Sequence, residues 1–327
     1  MSAVLGRLSL ASVIVASALL AGCGGDDAAL RTQPPDPPPA PQPADFPSVR
    51  GKTLAEVAQG LREGPIFAPS VSQLKVGRNR VGFALFDRAR KQIDASAVAV
   101  YTARPDGSHL RGPYVARRES IDVKTEYRSR QAAADLANGD TFYVASVPLQ
   151  RRKGNVFMAL ARMDGRLVRS APQELPPAPT GGPPDVGEKA IAVHTRTEAD
   201  VGGDLSELST RLPPARAMHQ TDFADAVGKK PIVLLFATPQ LCQTRVCGPV
   251  VDVAEQVRTE RGEGVTFIHQ EIYRENKVEK GFRAEVGRWR LPTEPWAFVI
   301  DRSGRVSARF EGAFSAGELS RAIAKVK

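Results

Sequence analysis

Three cysteines are the residues of this 327-residue chain whose chemistry is most direct. Cys242 and Cys247 are five positions apart, whereas Cys23 stands alone near the N-terminus. Two thiols this close can form a disulfide, exchange disulfides with another protein or bind a soft metal ion. Each use needs different surroundings, so the residues that flank the pair must decide between them.

The sequence places Cys247 at the start of a predicted helix. Pro249 would clash with the carbonyl four residues back inside a helix but suits the first turn. The sulfur of Cys247 would then lie beside unpaired backbone N–H groups, which favour the reactive thiolate. We predict that Cys247 attacks a substrate disulfide and that Cys242 resolves the mixed disulfide. Arg245, if it points inward, would further activate Cys247.

Two segments give the chain a resemblance to a known family. Cys247-Gly248-Pro249 resembles the first three residues of the Cys-Gly-Pro-Cys motif of thioredoxins, with Val250 in the fourth position. Residues 291–304 resemble the thioredoxin segment that contains a cis-proline, a strand and an Asp-x-x-Gly hairpin. The resemblance runs from near Asp222 to the C-terminus and implies a thioredoxin-like fold with thiol–disulfide oxidoreductase activity. It also implies that Pro295 is the cis-proline and helps to dock the substrate backbone.

Two residues depart from that family's pattern. Leu235 occupies the strand position where thioredoxins keep a buried Asp, so no general base is evident in the sequence. Glu294 precedes Pro295 and would place a negative charge near the thiolate, which partly opposes its activation. We predict no metal ion and no cofactor at this site.

A peroxidase reading stays open as an alternative. The segment from Thr238 to Cys242, with a second Cys five residues on, resembles peroxiredoxins that pair two cysteines within one helix. Cys242 would then attack peroxide, with Arg283 or Arg288 as the activating group. Pro249 argues against this reading, because it would break the helix that such a pairing requires.

Two further alternatives also remain. The thiols together with His269 faintly resemble a copper-chaperone variant of the same fold, although their spacing differs from that family. The pair can instead form a static disulfide in a non-enzymatic binding or scaffold protein of the envelope. A labile disulfide would favour the catalytic reading over the structural one.

The N-terminus carries the pattern of an export signal. Arg7 is the only charge before Asp26, and residues 8–20 are almost continuously apolar but too short to span a bilayer permanently, which takes ~20 residues. The sequence Leu20-Ala21-Gly22-Cys23 resembles the bacterial lipobox. We therefore predict that residues 1–22 are removed and that Cys23 carries the lipid that anchors the mature protein.

Composition divides the rest of the chain into predicted segments. Proline-rich stretches indicate a tether at 23–65 and a linker at 171–185. Short β-branched and aromatic runs separated by turn signals predict an all-β, immunoglobulin-like sandwich at 66–170. Alternating strand and helix patterns predict an α/β thioredoxin-like domain at 186–327. They include a helical stretch around 275–288 and a final helix with Ser315 as its N-cap and Glu318 three residues on. The predicted strands of the sandwich are 71–76, 80–86, 97–101, 141–145 and 156–160.

These observations predict a protein of the bacterial cell envelope, lipid-anchored on the extracytoplasmic side of a membrane. The partners expected there are the membrane itself and exported proteins that carry thiols or disulfides. Residues 66–170 hold 19 Lys/Arg against 9 Asp/Glu, a balance that would attract this predicted domain to an anionic lipid surface or that simply reflects solvated strand faces and loops. Nucleic acid is not expected, because the chain is exported and lacks aromatic residues interleaved with its basic ones.

Overall fold

The structure, a computed structural model, describes residues 40–135, 139–242 and 245–326. The predicted signal peptide at 1–22, the predicted lipidation site Cys23 and the first part of the predicted tether lie outside the described residues. No helix among those described is both long and apolar enough to cross a bilayer.

The described helices are short apart from one. They are α1 (Leu54–Ala58), α2 (Arg130–Asp135), α3 (Phe223–Ala226), α4 (Cys247–Arg261), α5 (Ala284–Arg288) and α6 (Ala316–Ile323). Helix α4 is the longest of these and begins at the second cysteine of the pair, as predicted from Pro249. Helix α6 begins after Ser315, whose hydroxyl accepts a hydrogen bond from the Glu318 N–H, as the cap pattern predicted.

Most of the N-terminal half belongs to one antiparallel sheet, called the large sheet. Its described strands are β1 (Ile66–Pro69), β2 (Gly77–Phe86), β3 (Gln92–Ile93), β4 (Ala97–Ala103), β5 (Arg111–Ser120), β6 (Thr141–Leu149), β7 (Asn155–Met163), β8 (Arg166–Arg169) and β9 (Gln173–Leu175). They pair in the order β1-β2-β6-β5-β4-β7-β8, with β3 beside β2 and β9 beside β7.

The long strand β5 makes this sheet continuous. Its first half pairs with β4, as in the register of Val115 with Ala99. Its second half pairs with β6, as in the register of Glu119 with Phe142. The sheet therefore curls as a half-barrel around a core that includes Phe83.

The prediction of an immunoglobulin-like sandwich is wrong for this reason. A sandwich consists of two separate sheets packed face to face, whereas β5 joins the two halves of the large sheet through backbone hydrogen bonds. The run Arg111–Ser120 was not among the predicted strands, because its charged residues do not form an apolar alternation.

The segment before the large sheet packs onto its outer face. Phe46, Leu54 and Val57 are buried against a cluster that includes Tyr101 and Met158. Thr53 caps α1 and forms a capping box with Glu56. The part of the predicted tether that the structure describes is thus in contact with the sheet.

The C-terminal half contains a second sheet, called the small sheet. Its described strands are β10 (Ile232–Phe236), β11 (Thr266–Gln270), β12 (Trp296–Ile300) and β13 (Val306–Glu311), in the order β11-β10-β12-β13. Strands β10 and β11 are parallel, and the other two pairs are antiparallel. One face packs against α4 and α6, and the opposite face packs against a cluster that includes Phe223 and Trp289.

The prediction of a thioredoxin-like α/β fold for 186–327 is also wrong, since the described structure is mostly β and does not show that fold. The largest local difference is in the helix predicted around 275–288. The chain there forms two 3-10 turns, Arg274–Asn276 and Val278–Lys280, before the short helix α5. Glu275 has a φ of +53° and Gly281 a φ of +73°, so one continuous helix cannot form.

Several polar contacts join the large sheet to elements of the C-terminal half. Arg80 on β2 forms an ion pair with Glu318 on α6, at 2.7 Å between Nη2 and Oε2. In the connection between β5 and β6, the Lys124 N–H donates to Gln256 on α4 at 2.9 Å. The helix that begins at Cys247 is therefore held by both parts of the chain.

Candidate functional site

Cys242 and Cys247 form a disulfide, with their Cα atoms 5.9 Å apart. Cys242 lies on the loop that follows β10, and Cys247 is the first residue of α4. Cys247 is fully buried, whereas Cys242 is half-buried at the edge of the same apolar core. The two sulfurs therefore differ in their access to a partner molecule.

The first turn of α4 shapes the surroundings of Cys247. Pro249 is the third residue of the helix. N–H groups in the first turn have no intrahelical acceptor, so the N–H that proline lacks is not needed there. The first intrahelical bond in this turn runs from the Val250 N–H to the Val246 carbonyl at 3.0 Å. The N–H groups of Cys247 and Gly248 precede that bond, so the sulfur lies at the positive end of the helix dipole.

Glu294 lies close to the disulfide, and it is followed by Pro295, the residue before β12. The Glu294–Pro295 peptide bond is cis, as predicted for Pro295. The two sulfurs and a carboxylate oxygen of Glu294 all lie within 4.8 Å of one another. The structure thus brings Glu294 together with the two cysteines.

The Glu294 carboxyl is only partly in contact with solvent. Burial raises its pKa to about 7, and the nearby Glu271 carboxyl adds to the shift. No described residue donates a hydrogen bond to Glu294 Oε2, which is buried. Glu294 is therefore harder to ionise than an ordinary carboxyl, and it opposes a thiolate at Cys247 less than its sequence position predicts.

Glu271 is a second carboxyl of the site, and the sequence analysis did not identify it. It follows β11 directly and is fully buried, which raises its pKa. Thr210 donates to its Oε1 through the backbone N–H at 2.7 Å and the hydroxyl at 2.8 Å. The same hydroxyl accepts from the Gln240 N–H at 3.1 Å, two residues before Cys242. A carboxylate at the end of an apolar strand was the signal that could have identified this residue.

Among the other predicted modulators, Arg245 is exposed and has a φ of +59°. Arg288 is exposed on α5. Arg283 is buried and donates to the Tyr273 carbonyl at 2.9 Å and to the Glu207 carbonyl at 3.1 Å. Cys242 lies outside α4, whereas the peroxidase alternative needs both cysteines in one helix.

His269 lies in the core and not beside the cysteines. Its Nε2 is 3.0 Å from the Ala237 carbonyl oxygen, and its ring lies 5.3 Å from that of His219. Burial lowers the pKa of His269 to about 3 and that of His219 to about 4. In the described part of the chain, the group of candidate ligands that contains both sulfurs includes Glu294 and excludes His269. Sulfurs joined in a disulfide are not thiolates, so they do not ligate a metal in this state.

No protein-family model matches the chain, and no curated protein sequence is significantly similar to it. The chemistry of the site must therefore be argued from its own residues.

Proposed function

We propose that this protein is a thiol–disulfide oxidoreductase of the cell envelope, anchored to a membrane through lipid on Cys23, that acts on exported proteins through Cys242 and Cys247. The observation that carries the proposal is the asymmetry of the disulfide. One sulfur is half-buried on a loop, and the other is buried at a helix start next to a carboxyl group.

Burial favours an assignment of roles opposite to the one made from the sequence. A thiolate of a partner protein reaches Cys242 more readily than Cys247, because Cys247 is fully buried. Attack on the Cys242 sulfur forms a mixed disulfide and breaks the Cys242–Cys247 bond. The electron pair of that bond then resides on Cys247 as a thiolate, which the start of α4 stabilises.

A second thiolate of the partner completes the exchange. It attacks the partner's own sulfur in the mixed disulfide and releases Cys242 as a thiolate. The partner gains a disulfide and the Cys242–Cys247 pair is reduced by two electrons. The reverse sequence reduces a partner disulfide, and the reduction potential sets which direction prevails.

Pro295 fits this proposal as part of the substrate-docking surface. It lies between β12 and Glu294, whose carboxylate is close to both sulfurs, and there its backbone would meet a partner's extended chain. Arg245 is exposed on the cysteine loop and is placed to meet the partner instead of the Cys247 sulfur.

The reduction potential of the pair tests the proposal. The purified protein, in a Cys23→Ser background so that only the pair reacts, is equilibrated in thiol buffers and its free thiols are trapped with a mass-tagging alkylator. A reversible transition above about −250 mV is expected for an exchange catalyst. A disulfide that stays closed below about −300 mV would overturn the proposal.

A structural disulfide in a non-enzymatic envelope protein is the second candidate. The complete burial of Cys247 and the packing of Cys242 against the same core support it. For this candidate, the disulfide should stay closed below about −300 mV in the same titration, and no mixed disulfides with other proteins should form.

A further inference from the structure

Disulfide exchange at this site creates a charge in a place that water reaches poorly. When the Cys242–Cys247 bond breaks, Cys247 receives the electron pair, and its side chain is fully buried. A buried thiolate is costly unless it is stabilised or protonated. The helix start supplies partial stabilisation, but a proton must still arrive for the thiol form and leave again for the reverse reaction.

Glu294 is the group placed to carry that proton. One of its carboxylate oxygens lies within 4.8 Å of both sulfurs, a separation that a single water molecule can bridge. Its Oε2 is buried and receives no hydrogen bond from any described residue, so no fixed partner competes for a proton there. Glu294 lies two residues before β12, a strand in the middle of the small sheet that anchors the following backbone.

We propose that Glu294 is the proton donor and acceptor for Cys247, with Glu271 as a second buried carboxyl of the same site. This inference rests on the proposed function. In the reduction of the pair, a partner thiolate bonds to the Cys242 sulfur, the Cys242–Cys247 bond breaks and the proton of Glu294 moves to the Cys247 sulfur. In the reverse direction, the Glu294 carboxylate takes that proton as Cys247 attacks the mixed disulfide.

The titratable groups that face Glu294 are consistent with this role. Glu271 approaches from the end of β11 and Tyr273 from the segment after it, and both interact electrostatically with Glu294. Arg283 interacts electrostatically with Glu271, and its guanidinium donates to the backbone carbonyls of Tyr273 and Glu207. A pKa of about 7 lets Glu294 act as an acid or as a base near neutral pH.

The test compares wild type with Glu294→Gln, Glu294→Asp and a control, Glu263→Gln, whose side chain is exposed beyond the far end of α4. All are full-length chains in the Cys23→Ser background. The rate constant for reduction of the disulfide by a small dithiol is measured from pH 5.5 to 9 by acid quench and mass tagging. It is divided by the fraction of the dithiol that is thiolate. The equilibrium with the same dithiol is measured at pH 6, where Gln resembles the neutral acid.

For wild type and Glu263→Gln, the normalised rate constant should fall as pH rises through about 7, because the acid form of Glu294 is lost. Glu294→Gln should lose this inflection and be slower at pH 6 by roughly 10²-fold, the low end of general acid catalysis. Its equilibrium at pH 6 should not change, because a proton carrier accelerates both directions equally. Glu294→Asp should keep the inflection in the pH dependence at a reduced rate. Because this variant retains a carboxyl, it distinguishes loss of that group from loss of the fold.

An unchanged rate in Glu294→Gln with its inflection retained would overturn the proton-carrier role and leave the proposed function intact. A rate loss accompanied by an equal shift of the equilibrium would also overturn it, because it would indicate an electrostatic effect on the thiolate. A wild-type disulfide that does not exchange at all would overturn both.

Discussion

Asp252 and Arg211 form a buried ion pair that fixes the helix carrying Cys247. Arg211 Nε donates to Asp252 Oδ1 at 2.7 Å, and the two side chains are 5% and 0% exposed. Ser129 donates to Asp252 Oδ2 through its N–H at 2.7 Å and its hydroxyl at 2.9 Å. Since Ser129 belongs to the connection between β5 and β6, the ion pair attaches α4 to the large sheet.

Asp252→Ala should lower the free energy of unfolding by about 3–5 kcal/mol, because it leaves the Arg211 guanidinium buried without its counter-ion. Denaturant unfolding followed by circular dichroism measures this loss. Glu260→Ala on the same helix removes the exposed ion pair with Lys124 and should cost less than about 1 kcal/mol. Equal losses in the two variants would mean that the buried pair does not anchor the helix.

The two cysteines should differ in reactivity when each is studied alone. In Cys247→Ser, Cys242 should form a mixed disulfide with glutathione disulfide readily. In Cys242→Ser, the buried Cys247 should react slower by roughly tenfold or more, since each 1.4 kcal/mol of local opening costs a factor of ten. Rates are read by mass spectrometry of quenched samples in the Cys23→Ser background. Faster reaction of Cys247 would instead support the roles predicted from the sequence, in which Cys247 attacks and Cys242 resolves.

The paired histidines in the core should make the protein sensitive to acid. The folded-state pKa values of His219 and His269 lie below the unfolded value of ~6.5, so the unfolded state binds protons first. Their contribution to stability is present above pH ~6.5 and is lost as pH falls toward about 4, by up to about 1.4 kcal/mol per pH unit for each histidine. His219→Asn should show a shallower loss than wild type in denaturant titrations at pH 7 and 4.5. His109→Asn, at an exposed position, should keep the wild-type slope.

Glu294 should contribute to stability with the opposite sign. Its folded-state pKa is raised above the unfolded value, so its contribution is present at low pH and is lost as pH rises through about 7. Glu294→Gln should therefore gain stability relative to wild type between pH 5 and 8. Thermal unfolding of the oxidised forms at both pH values measures the difference. A difference that does not vary with pH would indicate that Glu294 is not desolvated.

Local rules accounted for much of the cysteine site. The start of α4 at Cys247 followed from the backbone geometry of Pro249, and the Ser315 cap followed from a short-range hydrogen-bond pattern. The cis bond at Pro295 followed from a segment resemblance. Each of these depends on a few adjacent residues, which is why sequence patterns could predict them.

Features that depend on distant pairings were missed. The charged residues of β5 hide the alternation that predicts a strand, and β5 is in the sheet because it pairs with β4 and β6. The helix predicted around 275–288 does not form as one element, because the backbone at Glu275 and Gly281 has positive φ. Glu271 acquires its importance from Thr210 and Glu294, which lie far from it in the sequence. The fold class therefore could not be read from local periodicity.

The sharing of β5 between two neighbours limits how the N-terminal half can be divided. A fragment that ended inside β5 would lack β6 and β7, and it would leave open hydrogen-bonding edges on β2 and on β4. Exposed edges of this kind pair with other chains, so such a fragment would aggregate instead of folding. Proteolytic cleavage of the full chain within β5 would therefore disrupt the middle of the large sheet, and with it the support that α4 receives through Ser129 and Asp252.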